Sequence, residues 1–542
     1  QAYVRSRYEA PQGELEQILA GIWQELLHIE PIGRNDNFFS LGGHSLHGIK
    51  LIARAAEKLD VKLPVTIAFQ NPTIQAMAQA IAAKRPPPTD SSYPKALAAE
   101  SGEKLEQAPA TFLQVAHWNL YRLNQRRSLR QVASALRLRG RLNIEALRES
   151  LTRMIYRHDA LRTQVVNRNG TLMQQIASIS YCNLDVIELP NTTADEEITR
   201  LIEDFIREPV DVALDPLIGV QLLKLGDADH VLITTMEHII SDGRSMAILL
   251  RDLFTAYSQI LCHRDVQLAR IPVQFPDYAQ WQKQTHGRWL EAYADHWAKR
   301  VAHCGRTRFP TDQKSTRTNL SGWGLVSFVI DPGLRAKLIE WSRARQTTPV
   351  MSALTAFTAL VVRWCGTWDA GIQALTDGRI NPEIKNTIGY FASALYLHIQ
   401  LEPDSRLTDL LHMLEREYCE AHEHMDFGYL EAQVPPPEFT RNCVFNWIPE
   451  GLPFDFRGLQ GSPDALSCSR IPFTHPLLEA MDDDTEPSVV LTDSGSRIDG
   501  DILFPLNRFS HHAMRRFGRN FVQFMEQLMH EPHALVADLR LS

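Results

Sequence analysis

The sequence has no long apolar run, no basic block and no cysteine pattern, and each absence removes a class of function. No apolar stretch approaches the ~18–20 residues of a membrane-spanning helix. The N-terminus lacks a basic-then-apolar leader, so a cytoplasmic chain with no membrane partner is expected. The cysteines, seven in all (Cys182, Cys262, Cys304, Cys365, Cys419, Cys443 and Cys468), are scattered and odd in number. That pattern fits reduced thiols better than a disulfide framework or a zinc site. A formal charge of -8 without clustered lysine and arginine argues against a nucleic-acid partner. No Gly-x-x-x-x-Gly-Lys-Ser/Thr is present, so nucleotide hydrolysis is not expected. His422-Glu423-His424 lacks the His-Glu-x-x-His spacing of a metal site and reads as a polar helix end; no metal is expected.

What is present is an ordinary globular composition, 44% apolar and 22% charged, over 542 residues. That length exceeds one core and implies roughly two to four domains. Residues 1–84 read as a small helical bundle. Leu15, Ile18, Leu19, Ile22, Trp23, Leu26 and Leu27 recur at helical spacing. A second helix is expected from Ser45, with Leu46, Ile49, Ile52, Ala53 and Ala56 on one face, and a third from Thr73, an N-cap after Pro72. Residues 85–109 read as a linker opening on Pro86-Pro87-Pro88. From 110 to 542 strands alternate with helices. Strands are predicted over 132–139, 161–166, 218–224, 231–237, 325–330, 371–376, 394–400, 443–448 and 489–493. Helices are predicted over 143–156, 195–206, 244–258, 333–345, 350–364, 407–421 and 508–530. This mixed α/β region is too long for one lobe, so two are expected, about 110–290 and 291–542.

The stretch around which the chemistry is organised is Met236-Glu237-His238-Ile239-Ile240-Ser241-Asp242-Gly243-Arg244-Ser245. It lies between a strand-like run and a helix-like run. A histidine at a strand end is held rigidly and can face a cleft, an aspartate four residues on can brace the turn, and a glycine admits close approach of a substrate. The same pattern is also that of a plain strand–turn–helix junction. Ser45, after Gly42-Gly43-His44, is equally a helix cap or an attachment site for an anionic arm at a helix N-terminus. A nucleophile elbow fails by one position, since Gly48 follows His47.

Asp36-Asn37-Phe38-Phe39-Ser40-Leu41-Gly42-Gly43-His44-Ser45-Leu46, with Phe69-Gln70-Asn71-Pro72-Thr73-Ile74, resembles the peptidyl carrier protein of nonribosomal peptide synthetases. The resemblance implies 4′-phosphopantetheine on Ser45. The region from 110 onward resembles the condensation domain of the same synthetases. The motifs are Arg157-His158-Asp159-Ala160-Leu161-Arg162-Thr163, the turn at 236–245, Phe275-Pro276-Asp277-Tyr278-Ala279-Gln280-Trp281-Gln282 and Ile388-Gly389-Tyr390-Phe391-Ala392-Ser393-Ala394-Leu395. Weaker matches are His424-Met425-Asp426-Phe427 and Arg441-Asn442-Cys443-Val444-Phe445. A diverged first motif spans Ala110-Thr111-Phe112-Leu113-Gln114-Val115-Ala116-His117-Trp118. The implied fold is a carrier bundle followed by paired α/β lobes like those of chloramphenicol acetyltransferase.

The implied reaction is attack of an aminoacyl amine on an acyl thioester, with catalysis largely by positioning. His238 matches the second histidine of the family's His-His-x-x-x-Asp-Gly and is expected to take the amine proton or orient the amine. Asp242 is expected to hold the turn through a buried ion pair, with Arg162 one basic candidate. Gly243 is expected to admit the thioester, its amide facing a developing oxyanion. Glu237 stands where the family has its first histidine. It either substitutes structurally or adds an acid/base group, for example to dehydrate a bound seryl or threonyl residue.

Arg157, His158, Tyr278 and Trp281 read as structural; Asn446 and Trp447 read as acceptor-side or core. Gly43-His44-Ser45 and the fourth motif point to an L-configured donor. The implied partners are an upstream adenylation domain, downstream adenylation and carrier domains, and a phosphopantetheinyl transferase. The edges of the chain look like those of a didomain cut from a larger synthetase. Two other readings remain: a non-catalytic docking domain, and an acyltransferase using a soluble donor.

Overall fold

The computed structural model describes residues 8–27, 29–38, 41, 48, 51–52, 54–55, 58–59, 63, 67–68, 71–83, 105–123, 128–129, 132–178, 183–285, 307–312, 322–345, 347–379, 381–423, 443–448, 466–471 and 486–541. Helices α1 (Gly13–Leu27) and α2 (Ile74–Ala83) belong to the N-terminal bundle. The apolar face of α1 buries Leu19, Ile22, Trp23 and Leu26, and Trp23 meets the edge of Phe38 at 4.8 Å. Thr73 caps α2 by accepting from the Ala76 amide at 3.1 Å. Asp36 is buried and accepts from the Gly33 amide, while Phe38 N donates to Pro72 O at 2.8 Å. The first half of the motif around residues 36–46 therefore ties a loop to the last helix. Ser45 and its immediate neighbours 42–47 lie outside the described residues.

The first lobe has strands β1 (Gln107–Pro109), β2 (Ser128–Leu129), β3 (Val132–Arg139), β4 (Thr163–Arg168), β5 (Thr171–Ile176), β6 (Leu184–Glu188), β7 (Pro209–Val210), β8 (Ile218–Gly226) and β9 (Asp229–Met236). Its helices are α3 (Phe112–Leu123), α4 (Ile144–Arg157), α5 (Asp195–Ile206) and α6 (Gly243–Leu261). The second lobe has strands β10 (Trp323–Ile330), β11 (Asp369–Thr376), β12 (Ser393–Gln400), β13 (Cys443–Ile448), β15 (Ser488–Asp493) and β16 (Ile498–Pro505), and the same half of the chain carries β14 (Ser467–Arg470). Its helices are α7 (Pro332–Ala344), α8 (Pro349–Cys365), α9 (Leu407–Glu423) and α10 (His511–His530).

The first lobe's main sheet has the order β14-β3-β9-β8-β6, and the second lobe's sheet β10-β16-β15-β13-β11-β12. Each lobe has its own apolar core. Strand β9 is central and buried on both faces, so its Val231-Leu232-Ile233 run does not alternate. Helix α8 is buried nearly all round because it lies in the centre of the second core. It starts on Thr348 and Pro349 and stops at Gly366, whose φ of 63° is left-handed. Among the described residues no single helix is long and apolar enough to cross a membrane.

Two segments of the later sequence join the first lobe. β14 pairs antiparallel with β3, and the connection between β11 and β12 places Ile384, Ile388 and Phe391 in the first core. Several elements are absent from the sequence reading, among them β1, which falls inside the stretch 85–109 read as linker, α3, β5 and β6; for β14 and β16 the reason is physical. β14 is Ser-Cys-Ser-Arg and carries no apolar pattern. β16 contains Gly500, where an added Cβ would lie 2.2 Å from the Phe328 ring, so the strand gives up a side chain to let that ring cross it.

Gly389 makes a similar close approach between segments, its Cβ position lying 2.3 Å from the Phe275 ring. Gly389→Ala is expected to destabilise the protein by about 1–3 kcal/mol through overpacking, read as a lowered midpoint in thermal or urea unfolding.

Candidate active site

At the end of β9 the chain turns sharply. Glu237 precedes a 3-10 turn over His238–Ile240, and its carboxylate accepts from the Ile239 amide. Glu237 N donates to Leu217 O at 2.8 Å, and Ser241 Oγ to Glu237 O at 2.8 Å, so both ends of the turn are pinned. Gln114 of α3 braces it from the side, Nε2 donating to Ile239 O at 2.9 Å. Asp242 then caps α6: Oδ1 accepts from the Ser245 amide and hydroxyl, both at 2.8 Å.

Asp242 is 1% exposed, and an unpaired carboxylate there would be costly. Arg379, from the β11–β12 connection, supplies the charge. Its Nη1 donates to Oδ2 at 2.9 Å and its Nη2 to Oδ1 at 3.0 Å. The Phe391 and Ala392 amides also donate to Oδ2, at 3.0 and 3.1 Å. Burial alone would raise the Asp242 carboxyl. The Arg379 charge and hydrogen bonds, with the Phe391 and Ser245 amides, outweigh burial and hold it below the usual aspartate range. Arg379 also donates to Thr387 O and lies 4.5 Å above the Phe391 ring.

The ion pair expected of Asp242 thus exists, but its partner is not Arg162. That guanidinium is buried against Asp159 and Ile155 O, while Arg157 and His158 contact Asp252. Sequence proximity favoured a basic residue of the first lobe; the fold brings one in from 137 residues away. The one signal was Gly378, whose φ is 69° and whose Cβ position would fall 1.9 Å from Phe391 O. A glycine forced by such an approach marks where the loop folds back.

His238 is half-buried, whereas Glu237 and Ile239 on either side are sealed. Its ring lies 4.5 Å from Tyr390 and 5.8 Å from His117, centroid to centroid. Its Nδ1 is buried with no hydrogen-bond partner among the described residues. Burial first, and the charge of His117 second, push this imidazole below the ordinary 6.5, so it is neutral near pH 7. Gly243 is exposed, and a Cβ built on it meets nothing within 4 Å. The backbone in front of α6 is open to a narrow substrate.

Glu237 has 0% exposure, and its Oε1 is 3.3 Å from His117 Nε2. This sealed carboxylate accepts from the Ile239 amide and lies against the His117 ring, as burial demands partners for it. Tyr278 packs on Phe391 at 5.0 Å and Trp281 is buried, as structural aromatics. Trp447, on β13, packs partly buried against the second core. His422 is buried and pushed down to about 4 by that burial. His424–Phe427 and Arg441–Asn442 lie outside the described residues.

Two lobes meet at a strand-end histidine, and the comparisons give this architecture a family. Residues 104–542 match the family described as Condensation domain, and residues 17–81 match Phosphopantetheine attachment site. The chain therefore belongs to the condensation-domain family, with a carrier domain ahead of it, and the group such a carrier bears is 4′-phosphopantetheine on a serine. It is 30% identical over 452 residues to malpinin synthetase of Mortierella alpina, covering 82% of this chain and 6% of that protein. The first condensation domain of the CDA synthetase superposes with a TM-score of 0.64 at 18% identity, over 80% of this chain and 99% of that one. The X-domain in the complex of X-domain and OxyB from teicoplanin biosynthesis gives 0.67 at 23%, over 82% and 97%.

Removing Arg379 leaves the Asp242 charge buried and unpaired. Arg379→Ala is expected to cost about 3–5 kcal/mol, measured by urea unfolding. The pH dependence has a definite sign. The folded pKa of Asp242 is depressed, so its contribution is full above the ordinary aspartate range and fades as pH falls below it. Asp252 behaves alike: burial would raise it, but the neighbouring His158 ring at 3.5 Å and the charge and hydrogen bond of Arg251 hold it at about 2. Acid unfolding of the first lobe is therefore expected below pH ~4, and earlier in an Arg379→Ala protein.

Proposed function

We propose that this chain forms an amide bond between an acyl or peptidyl thioester and the amine of an aminoacyl thioester, as a carrier–condensation pair of a nonribosomal peptide synthetase. The observation that carries it is the His238 imidazole: neutral, half-buried, and beside the open backbone of Gly243. His238 takes the amine proton as the C–N bond forms and the C–S bond breaks, a contribution of roughly 10²–10⁴-fold. The amide of Gly243 faces the carbonyl oxygen as charge develops on it. Asp242 and Arg379 hold the turn.

Ser45 is the residue that would hold the 4′-phosphopantetheine, whose thiol keeps the acyl group activated and tethered. The bundle suits this: Leu41 on one side of the serine segment, and Leu51 and Ile52 on the other, are buried in one core. The partners are the adenylation domain that loads this carrier, the adenylation and carrier domains that present the acceptor, and a phosphopantetheinyl transferase. The donor is of L configuration, on the strength of Gly43-His44-Ser45 and the motif at 275–282.

A second reading is recruitment of a partner without bond formation. It is favoured by Glu237 in place of the family's first histidine and by the fold likeness to the X-domain crystallised with OxyB. One comparison separates the two. Holo protein is loaded with L- or D-donors, given an aminoacyl acceptor, and the products are weighed. Amide formation is expected with the L-donor, with a loss of roughly 10²–10⁴-fold in His238→Ala and no loading of Ser45→Ala. Because the active form of His238 is neutral and its pKa is depressed, the acid limb of kcat/KM should fall below pH 6.5. Absence of any amide product from the loaded, unmodified protein would establish the recruitment reading instead, and amide formation unaffected by His238→Ala would remove the role given to His238.

A further inference from the structure

The two places where the chain departs from its family's motifs touch each other. One is the first motif, which here carries His117; the other is Glu237. Their side chains lie 3.3 Å apart, Glu237 Oε1 to His117 Nε2. With the carboxylate as acceptor, the proton of that contact is on Nε2, and His117 makes no hydrogen bond through Nδ1 among the described residues. The His117 side chain is 18% exposed while that of Glu237 is sealed at 0%, so the carboxylate anchors the ring from behind and the ring keeps access to the space in front. That space is shared. His117 and His238 have ring centroids 5.8 Å apart, and Tyr390 closes the third side at 5.9 Å from His117 and 4.5 Å from His238.

Amide formation from a thioester moves two protons. One leaves the attacking amine; the other reaches the sulfur, which departs with the electron pair of the broken C–S bond. We propose that His117 is a second catalytic residue, positioned by Glu237: the imidazolium form, its Nε2–H on the carboxylate, gives its Nδ1 proton to the departing sulfur and becomes the neutral Nε2–H imidazole, while neutral His238 takes the amine proton. The products are an amide and a neutral thiol, and solvent then returns the two imidazoles to their starting states. The arrangement suits a divided task. His117 rests on a carboxylate, whereas burial keeps His238 deprotonated. This assignment rests on the amide-forming reading above.

The leaving group tests it. The full chain is given soluble acyl donors, either N-acetylcysteamine thioesters, whose alkyl thiol leaves poorly unprotonated, or thiophenol thioesters, whose thiolate leaves unaided. His117→Leu and His117→Asn are expected to lose roughly 10²-fold or more with the alkyl donor and to stay within a few-fold of the unmodified protein with the aryl donor. Glu237→Gln should show a smaller loss of the same selective kind. In the protein without any donor, at a pH high enough to make the ring neutral, the ring-carbon NMR shifts of His117 should report the Nε2–H tautomer, the form left after Nδ1 donates, and Glu237→Gln should shift them toward the other. Equal losses with both donors, no loss with either, or an Nδ1–H tautomer in the unmodified protein would overturn the role of His117. An unmodified protein that makes no amide from any donor, soluble or carrier-bound, would instead overturn the parent reading and this one with it.

Discussion

The ion pair between Asp242 and Arg379 is the interaction on which the site depends. One partner begins α6 in the first lobe and the other lies on a connection leaving the second lobe's sheet. Both side chains are almost fully buried, at 1% and 2% exposure. Ion pairs in such a place are poor sources of net stability, because desolvation offsets most of the attraction. What they do well is demand one geometry. Here six hydrogen-bond contacts converge on one carboxylate, from the Ser245 amide and hydroxyl, both guanidinium nitrogens and two amides of the segment carrying Phe391. Displacement of either lobe at this seam would break several at once. The turn bearing His238 is therefore as fixed as the contact between lobes.

Fixing the turn leaves its chemistry to the neighbours. Glu237 is sealed, and its carboxylate lies 3.3 Å from the ring of His117. His238 remains half-buried, on the boundary between core and opening, where an imidazole is desolvated enough to stay neutral and still reachable. Gly243 keeps clear the backbone over which a tethered substrate would pass. These features suit a site in which the substrates arrive activated and the protein supplies orientation and proton transfer.

The relatives place the chain without fixing its substrates. It spans 6% of malpinin synthetase and 8% of tyrocidine synthase 3 of Brevibacillus parabrevis, so those proteins are many times its length. Structural likeness at around 20% identity reaches an X-domain as well as a condensation domain. One scaffold thus accommodates different tasks, and the distinction falls to particular side chains in the space between the lobes.

Local pattern determined a good deal. Helices such as α5 and α10 announce themselves by apolar spacing, and α10 also by its cap, Ser510. Strands such as β3 and β13 do so by short apolar runs. The turn at 236–245 stood out because strand, histidine, aspartate, glycine and helix follow one another within a few residues. Those are short-range facts, and short-range facts are what periodicity and capping encode. Only the tertiary structure decided that Arg379 pairs with Asp242, that His117 lies against Glu237, and that β14 completes the first lobe's sheet. In each case the partners are far apart in the chain, and the contact exists because burying a charge or a strand edge requires whatever complementary group the packed lobes bring near. No local pattern carries that requirement, so it becomes visible only when the lobes are folded together.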